Sequence, residues 1–199
     1  LEQYVMPLAL LVLILLIAVY VFTFPKYEIS SIAISYFALF YVTVMLSCIY
    51  RIRMLSDGAY MVVLVFLSAW GNDTLAYCTG MLIGKHKMSP ILSPKKSIEG
   101  LIGGIVGAAI LGALYGMYLN TYIRFSFNPV TMFPIICGLG GAVSVIGDLA
   151  ASAIKRDSGI KDYGTLIPGH GGILDRFDSI IFIAPVIYYL TVMISGGAI

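Results

Sequence analysis

Charge is what this sequence has least of. Only 11% of its 199 residues are Asp, Glu, Lys or Arg, against about a quarter in ordinary globular chains. Mean hydropathy is +0.97 and 60% of the residues are hydrophobic. A soluble all-α protein of this length has no way to hide that much apolar surface, so that class is set aside. The net charge of +2 is too small to suggest a nucleic-acid partner. Cysteine is scarce as well. Cys48, Cys78 and Cys137 all sit in apolar runs without metal-ligand spacing, and read as small hydrophobes in helix packing. No basic residue precedes the first apolar run, and the run is long, so it does not read as a signal peptide. Alternating ten-residue segments are missing too, which excludes a membrane β-barrel.

What the chain does have is six long apolar runs. Tyr4–Phe24, Ile29–Tyr50, Gly100–Ile123, Phe125–Gly147 and Ser179–Ile199 carry no charge, and Gly58–Gly84 carries only Asp73. Each is long enough to cross a hydrocarbon core of about 30 Å as a helix, and backbone in lipid must satisfy its own hydrogen bonds. The fold class expected is therefore an all-α polytopic integral membrane protein with about six transmembrane helices. Alternation of sides places Lys26, Lys85, Lys87, Lys95, Lys96, Lys155, Arg156, Lys161 and Arg176 on one face, and Arg51, Arg53 and Arg124 on the other. The positive-inside rule puts the first face in the cytoplasm and both chain ends outside. The run around Gly100, Gly103, Gly104, Gly107, Gly112 and Gly116 has the small-xxx-small spacing that lets helix backbones approach closely.

Two carboxylates stand where the membrane disfavours them. Asp73 lies inside the third run, and Asp148 closes the fifth. An acid at that depth costs several kcal/mol, so it must face a cavity, a partner or an ion. Asp175 and Asp178, three residues apart, share a face at the start of the sixth helix. The alternation brings all four to one side of the membrane, where their repulsion needs an offsetting charge. Mg²⁺ is the expected one, since it takes hard oxygen ligands and keeps phosphate oxygens in its shell. The same side carries the phosphate binders. The segment GKHKMSPILSPKKSIEG (84–100) holds four lysines and three serines, and IPGHGG (167–172) is a glycine-rich turn leading into the last helix. Of the 22 charged residues, eight fall within 151–179. Acids, bases and a glycine turn at one membrane face read as a metal–phosphate site, with a lipid as the second substrate.

The stretch SAIKRDSGIKDYGTLIPGHGGILDRFD (152–178) resembles the signature of the phosphatidate cytidylyltransferases, the CDP-diacylglycerol synthases. Ser152, Lys155-Arg156, Lys161-Asp162, His170-Gly171-Gly172, Asp175-Arg176 and Asp178 all fit that pattern, and SPKKSIEG (93–100) and NDTLAY (72–77) look like two further family segments. The resemblance implies CTP and phosphatidate as substrates, CDP-diacylglycerol and pyrophosphate as products, and Mg²⁺ as cofactor. It also implies a place in phospholipid biosynthesis; the brevity of the chain points to a bacterial plasma membrane, and the positive-inside count to a site on its cytoplasmic face. Family members usually carry further transmembrane helices ahead of this region, so more helices upstream are expected. Residues 1–57 are expected to be supporting transmembrane helices. Residues 58–199 are expected to form the catalytic domain, with cytoplasmic loops 84–100 and 152–175.

The expected roles follow from the chemistry. Asp148 and Asp175 are the main metal ligands, with Asp178 and Asp73 either helping or forming a second cation site. Lys95, Lys96, Lys155 and Arg156 hold the triphosphate or the lipid phosphate, and Gly171 and Gly172 offer backbone N–H groups to phosphate. His170 is either catalytic or a residue that fixes the turn. Lys161 and Arg176 stand among the substrate binders, with Ser97, Ser152 and Asn72 behind them. A homodimer is left open. Three other readings stay open beside this one: nucleotidyl transfer or phosphorylation on another lipid such as an isoprenoid, a CDP-alcohol phosphotransferase, and an ion-coupled transporter using Asp73 and Asp148.

Overall fold

A computed structural model describes residues 2–90, 92–166 and 171–195 of the protein. Six helices among them are long and apolar enough to cross a membrane: Tyr4–Thr23, Ile29–Met54, Gly58–Ile83, Ile98–Asn120, Pro129–Asp157 and Leu174–Ile194. The expected all-α membrane architecture is the one found.

The chain divides into two compact units, Leu1–Ser47 and Cys48–Ile199. In the first, α1 (Glu2–Thr23) and α2 (Ile29–Leu39) are followed by a π-helical turn, Phe40–Val44. Leu13 and Ile17 of α1 and Ile32, Tyr36 and Phe40 of the second span are among the residues that line an apolar groove here. α3 (Met45–Met54) completes the second span.

In the second unit, α4 (Gly58–Phe66) and α5 (Asn72–Ile83) form one span, joined by a π-helical turn at Leu67–Gly71. A π turn opens the backbone ladder by one residue and re-aims the side chains that follow it. Those residues are Asn72 and Asp73. A two-stranded antiparallel hairpin, β1 (Lys87–Ser89) and β2 (Ser93–Ser97), comes next, pairing Lys87 with Ser97 and Ser89 with Ser93. The sequence was expected to form a loop here. Then follow α6 (Ile98–Asn120), α7 (Pro129–Asp157) and α8 (Leu174–Ile194).

α6 is the centre of the packing, and its two faces invert the size rule of soluble proteins. Gly100, Gly104, Ala108, Gly112 and Gly116 are buried at every fourth position, while Ile102, Val106, Ile110, Leu114 and Met117 are exposed. Lipid gains nothing by excluding large apolar groups, so close backbone approach becomes the source of packing. A Cβ at Gly104 would stand 2.6 Å from Asn72 Oδ1, and one at Gly112 would stand 2.6 Å from the Phe133 carbonyl oxygen. α5 and α7 therefore lie directly on α6.

α7 runs ten residues further than the apolar run it was read from, reaching Asp157. Asp148, Ser152, Lys155 and Arg156 thus stand on a helix rather than in or beside a loop. Lys155 and Arg156 occupy its last turn, where basic side chains complement the helix dipole. Asp148 and Lys155 are seven residues apart and share a face.

Candidate active site

One end of the second unit opens into a cavity of about 680 Å³. Its polar wall is formed by Asn72, Asp73, Lys95, Lys96, Ser97 and Asp148. Three separate devices deliver these groups. The π turn aims Asn72 and Asp73, the hairpin carries Lys95 and Lys96, and α7 presents Asp148. Lys96 pairs with Asp148, and each side chain is about a quarter exposed (26% and 27%). Asp73 senses the charges of both. Its nearest side-chain donor is Asn72 Nδ2 at 3.5 Å, the outer limit of a hydrogen bond. Asn72 itself is 1% exposed. Its Oδ1 finds no hydrogen-bond partner among the described residues. Ser97 caps α6, accepting the Gly100 N–H at 3.1 Å. Its role in the structure is thus to start a helix at the cavity wall.

The apolar part of the lining comes from Tyr77, Met81 and Leu101, the first two following Asp73 at four-residue spacing along α5. Tyr77 and Met81 are 67% and 66% exposed on the outside of α5, so this part continues onto the lipid-facing surface. Lys87 and Ser93 also line the cavity, and both were missed as site residues in the sequence. The hairpin pairing that turns them inward has no hydrophobic alternation to announce it.

A second cluster sits where α7 meets α8. Lys155 Nζ donates to Asp175 Oδ1 at 2.8 Å, with side chains only 12% and 5% exposed. Asp175 Oδ2 accepts the N–H groups of Tyr163 and Gly172, each at 2.9 Å. Lys155 lies 5.2 Å from the centre of the Tyr163 ring, and the Tyr163 hydroxyl donates to the Ala151 carbonyl at 3.3 Å. Burial raises the Tyr163 phenol above its ordinary range, against the pull of Lys155, so it stays a donor at neutral pH. Gly171 has φ +80°, and a Cβ there would stand 2.9 Å from Asp175 Oδ2. Tyr163, Gly171 and Gly172 therefore close tightly on the Asp175 carboxylate. Tyr163 too was missed in the sequence, where a tyrosine in a polar loop carries no signal of its own.

Asp178 follows Asp175 by three residues on α8, and its Oδ1 accepts the Ser179 N–H at 2.8 Å. α8 approaches α7 closely here: a Cβ at Gly147 would stand 3.2 Å from the Asp178 carbonyl oxygen. Ser152 is half-buried on α7, while Arg156, Lys161 and Arg176 are exposed. His170 lies outside the described residues.

The four aspartates do not form a ready-made cage. Among the described residues no group of three His, Cys, Asp or Glu side chains is close enough to hold a metal ion. Asp175 is engaged by three donors and is not part of the cavity wall, and the Gly172 N–H, expected to meet phosphate, is given to Asp175. Asp73 and Asp148 do share the cavity. Two hard carboxylates facing a space lined with lysines fit Mg²⁺, which needs only one or two protein carboxylates when phosphate oxygens and water complete its shell.

Comparison with known proteins places this geometry in context. A model described as the Cytidylyltransferase family matches residues 1–194. A phosphatidate cytidylyltransferase of Staphylococcus saprophyticus is 34% identical over 169 residues, covering 85% of this chain and 62% of the relative. One from Staphylococcus haemolyticus is 37% identical over 137 residues, covering 69% and 51%. One from Thermotoga maritima is 35% identical over 175 residues, covering 86% and 63%. The chain thus spans between half and two thirds of the length of these relatives.

Proposed function

Since the chain belongs to the cytidylyltransferase family, we propose that it transfers the cytidylyl group of CTP to phosphatidate. A phosphate oxygen of phosphatidate attacks the α-phosphorus of CTP, the bond from that phosphorus to the bridging oxygen breaks, and pyrophosphate leaves with the electron pair. The products are CDP-diacylglycerol and pyrophosphate. The nucleophile is already an anion, so no strong general base is needed. The difficulty is to bring several negative charges together, and positioned cations lower it.

The observation that carries this reading is the composition of one cavity. Lysines and aspartates share its lining with apolar side chains, of which Tyr77 and Met81 are largely exposed. Lys95, Lys96 and Lys87 attract and orient the phosphates. Lys96 is paired with Asp148, and its ammonium is the one to turn to phosphate. Asp73 and Asp148 are the residues to hold Mg²⁺, which when bound would neutralise charge on the phosphates and align the attack. Tyr77, Met81 and Leu101 keep the apolar part of the lipid beside the reacting phosphate. Lys155 and Asp175 hold the 158–173 connection in place rather than touching substrate. The excess of basic residues on this side supports a cytoplasmic orientation, and the bacterial relatives support a bacterial plasma membrane.

The test is product formation by the purified protein in mixed micelles with labelled CTP. CDP-diacylglycerol and pyrophosphate should appear only when CTP, phosphatidate and Mg²⁺ are all present. Turnover with an isoprenoid phosphate but not phosphatidate, or cation flux into liposomes without CTP, would replace this function with another.

A further inference from the structure

Glu99 was given no role by its sequence context. It occupies the second position of α6, one residue past the Ser97 cap and its neighbour Ile98. An acid in the first turn ordinarily interacts with its own helix end. Glu99 also reaches back across the base of the hairpin. Its carboxylate accepts the Lys85 N–H at 3.1 Å, the His86 N–H at 3.2 Å, and a contact from His86 Nδ1 at 2.6 Å. Next to it the Ile98 N–H donates to the His86 carbonyl at 2.9 Å. The partners lie thirteen and fourteen residues away, and the segment they enclose is the hairpin that carries Lys87, Lys95 and Lys96. Glu99 is not part of the cavity wall.

We propose that Glu99 is a positioning residue, whose carboxylate closes the base of the β1–β2 hairpin and so holds Lys95 and Lys96 at the phosphate end of the cavity. The physical reason lies in the hairpin's weakness. Two short strands without a third are marginal in water, and this pair is irregular between Lys87 and Ser89. Two long lysine side chains lose several rotamers each when they bind phosphate. A base fixed by one carboxylate on three N–H groups removes the backbone share of that ordering before substrate arrives. A glutamine can keep its carbonyl oxygen on the two backbone N–H groups and turn its amide to His86 Nδ1, whereas an alanine, a good helix former, leaves the helix start in place and removes every acceptor of the clamp.

The role in nucleotide binding rests on the cytidylyl-transfer reading; the clamp itself does not. The experiment pairs hydrogen exchange with steady-state kinetics on Glu99→Ala in detergent. Amides of Lys85, His86 and the hairpin should exchange at least about tenfold faster than in the parent protein. The KM for CTP should rise about tenfold while kcat stays within about twofold. Unchanged exchange overturns the clamp. A fall in kcat with KM unchanged overturns the positioning role. If Glu99→Ala does not fold, His86→Ala removes only the ring contact and should speed exchange at residues 85–86 by a smaller factor; no change there overturns the clamp as well. Absence of CTP turnover by the parent protein would sink the functional reading while leaving the exchange result to decide the clamp.

Discussion

Lys155 and Asp175, twenty residues apart in sequence, meet at 2.8 Å between the end of α7 and the start of α8. The other oxygen of Asp175 ties down Tyr163 and Gly172. One carboxylate thus fixes both edges of the connection between the last two spans.

Asp175→Asn is expected to destabilise the protein as well as to slow it. The change leaves the little-exposed Lys155 ammonium without its counter-charge, which costs about 3 kcal/mol when a buried pair is broken. Thermal unfolding in detergent should show a lower midpoint for Asp175→Asn. The Lys155→Met, Asp175→Asn double variant should recover part of the loss, because no uncompensated charge remains. An unaltered midpoint in the single variant would remove the structural role.

Asp73→Asn and Asp148→Asn should each raise the Mg²⁺ concentration needed for half-maximal turnover by about tenfold or more. Asp175→Asn should leave that concentration close to the parent value even where its rate is low. Rate measured against Mg²⁺ concentration separates the cavity carboxylates from the loop-holding one. A chelator should abolish turnover, and excess Mg²⁺ should restore it.

Gly104→Ala should cost about 1–3 kcal/mol through overpacking, because the added carbon falls 2.6 Å from Asn72 Oδ1. It should also impair turnover, since Asn72 adjoins Asp73. Gly159→Ala is the contrasting change. Nothing lies within 4 Å of a Cβ there, and only its φ of +68° opposes a side chain, so the expected loss is about 1 kcal/mol. Melting midpoints of the two variants against the parent protein check both values.

Single cysteines placed at Lys85 and at Arg124, both exposed, should label from opposite sides of the membrane in a background lacking the exposed Cys78. The position 85 thiol should react in inside-out vesicles and the position 124 thiol in right-side-out ones. The reverse pattern would turn the cavity to the outside.

The six spans were legible because absence of charge over twenty residues is a strong signal in a chain that must satisfy its own backbone in lipid. Asp73 and Asp148 stood out for the same reason, as charges where the background is apolar. The rest depended on relations that composition does not carry. The end of α7 was misplaced by ten residues because Lys155 and Arg156 look alike in a loop and in a final helical turn. The hairpin was hidden because SPKKS has neither alternation nor β-branched residues, and its register is set by Glu99 and the Ile98–His86 hydrogen bond. The partners of Asp175 are mostly backbone N–H groups, which every residue but proline has. The π turn before Asn72 leaves no mark in the sequence at all.

Asp148 and Lys155 ride on the same uninterrupted stretch of α7, two turns apart, one gripping the hairpin and the other gripping the start of α8. A stiff rod joining two grips transmits torque. Whatever rotates the helix to suit an arriving triphosphate must also pull on the polypeptide crossing between the final spans, so disturbance at either grip will register at the other without any substrate contact there.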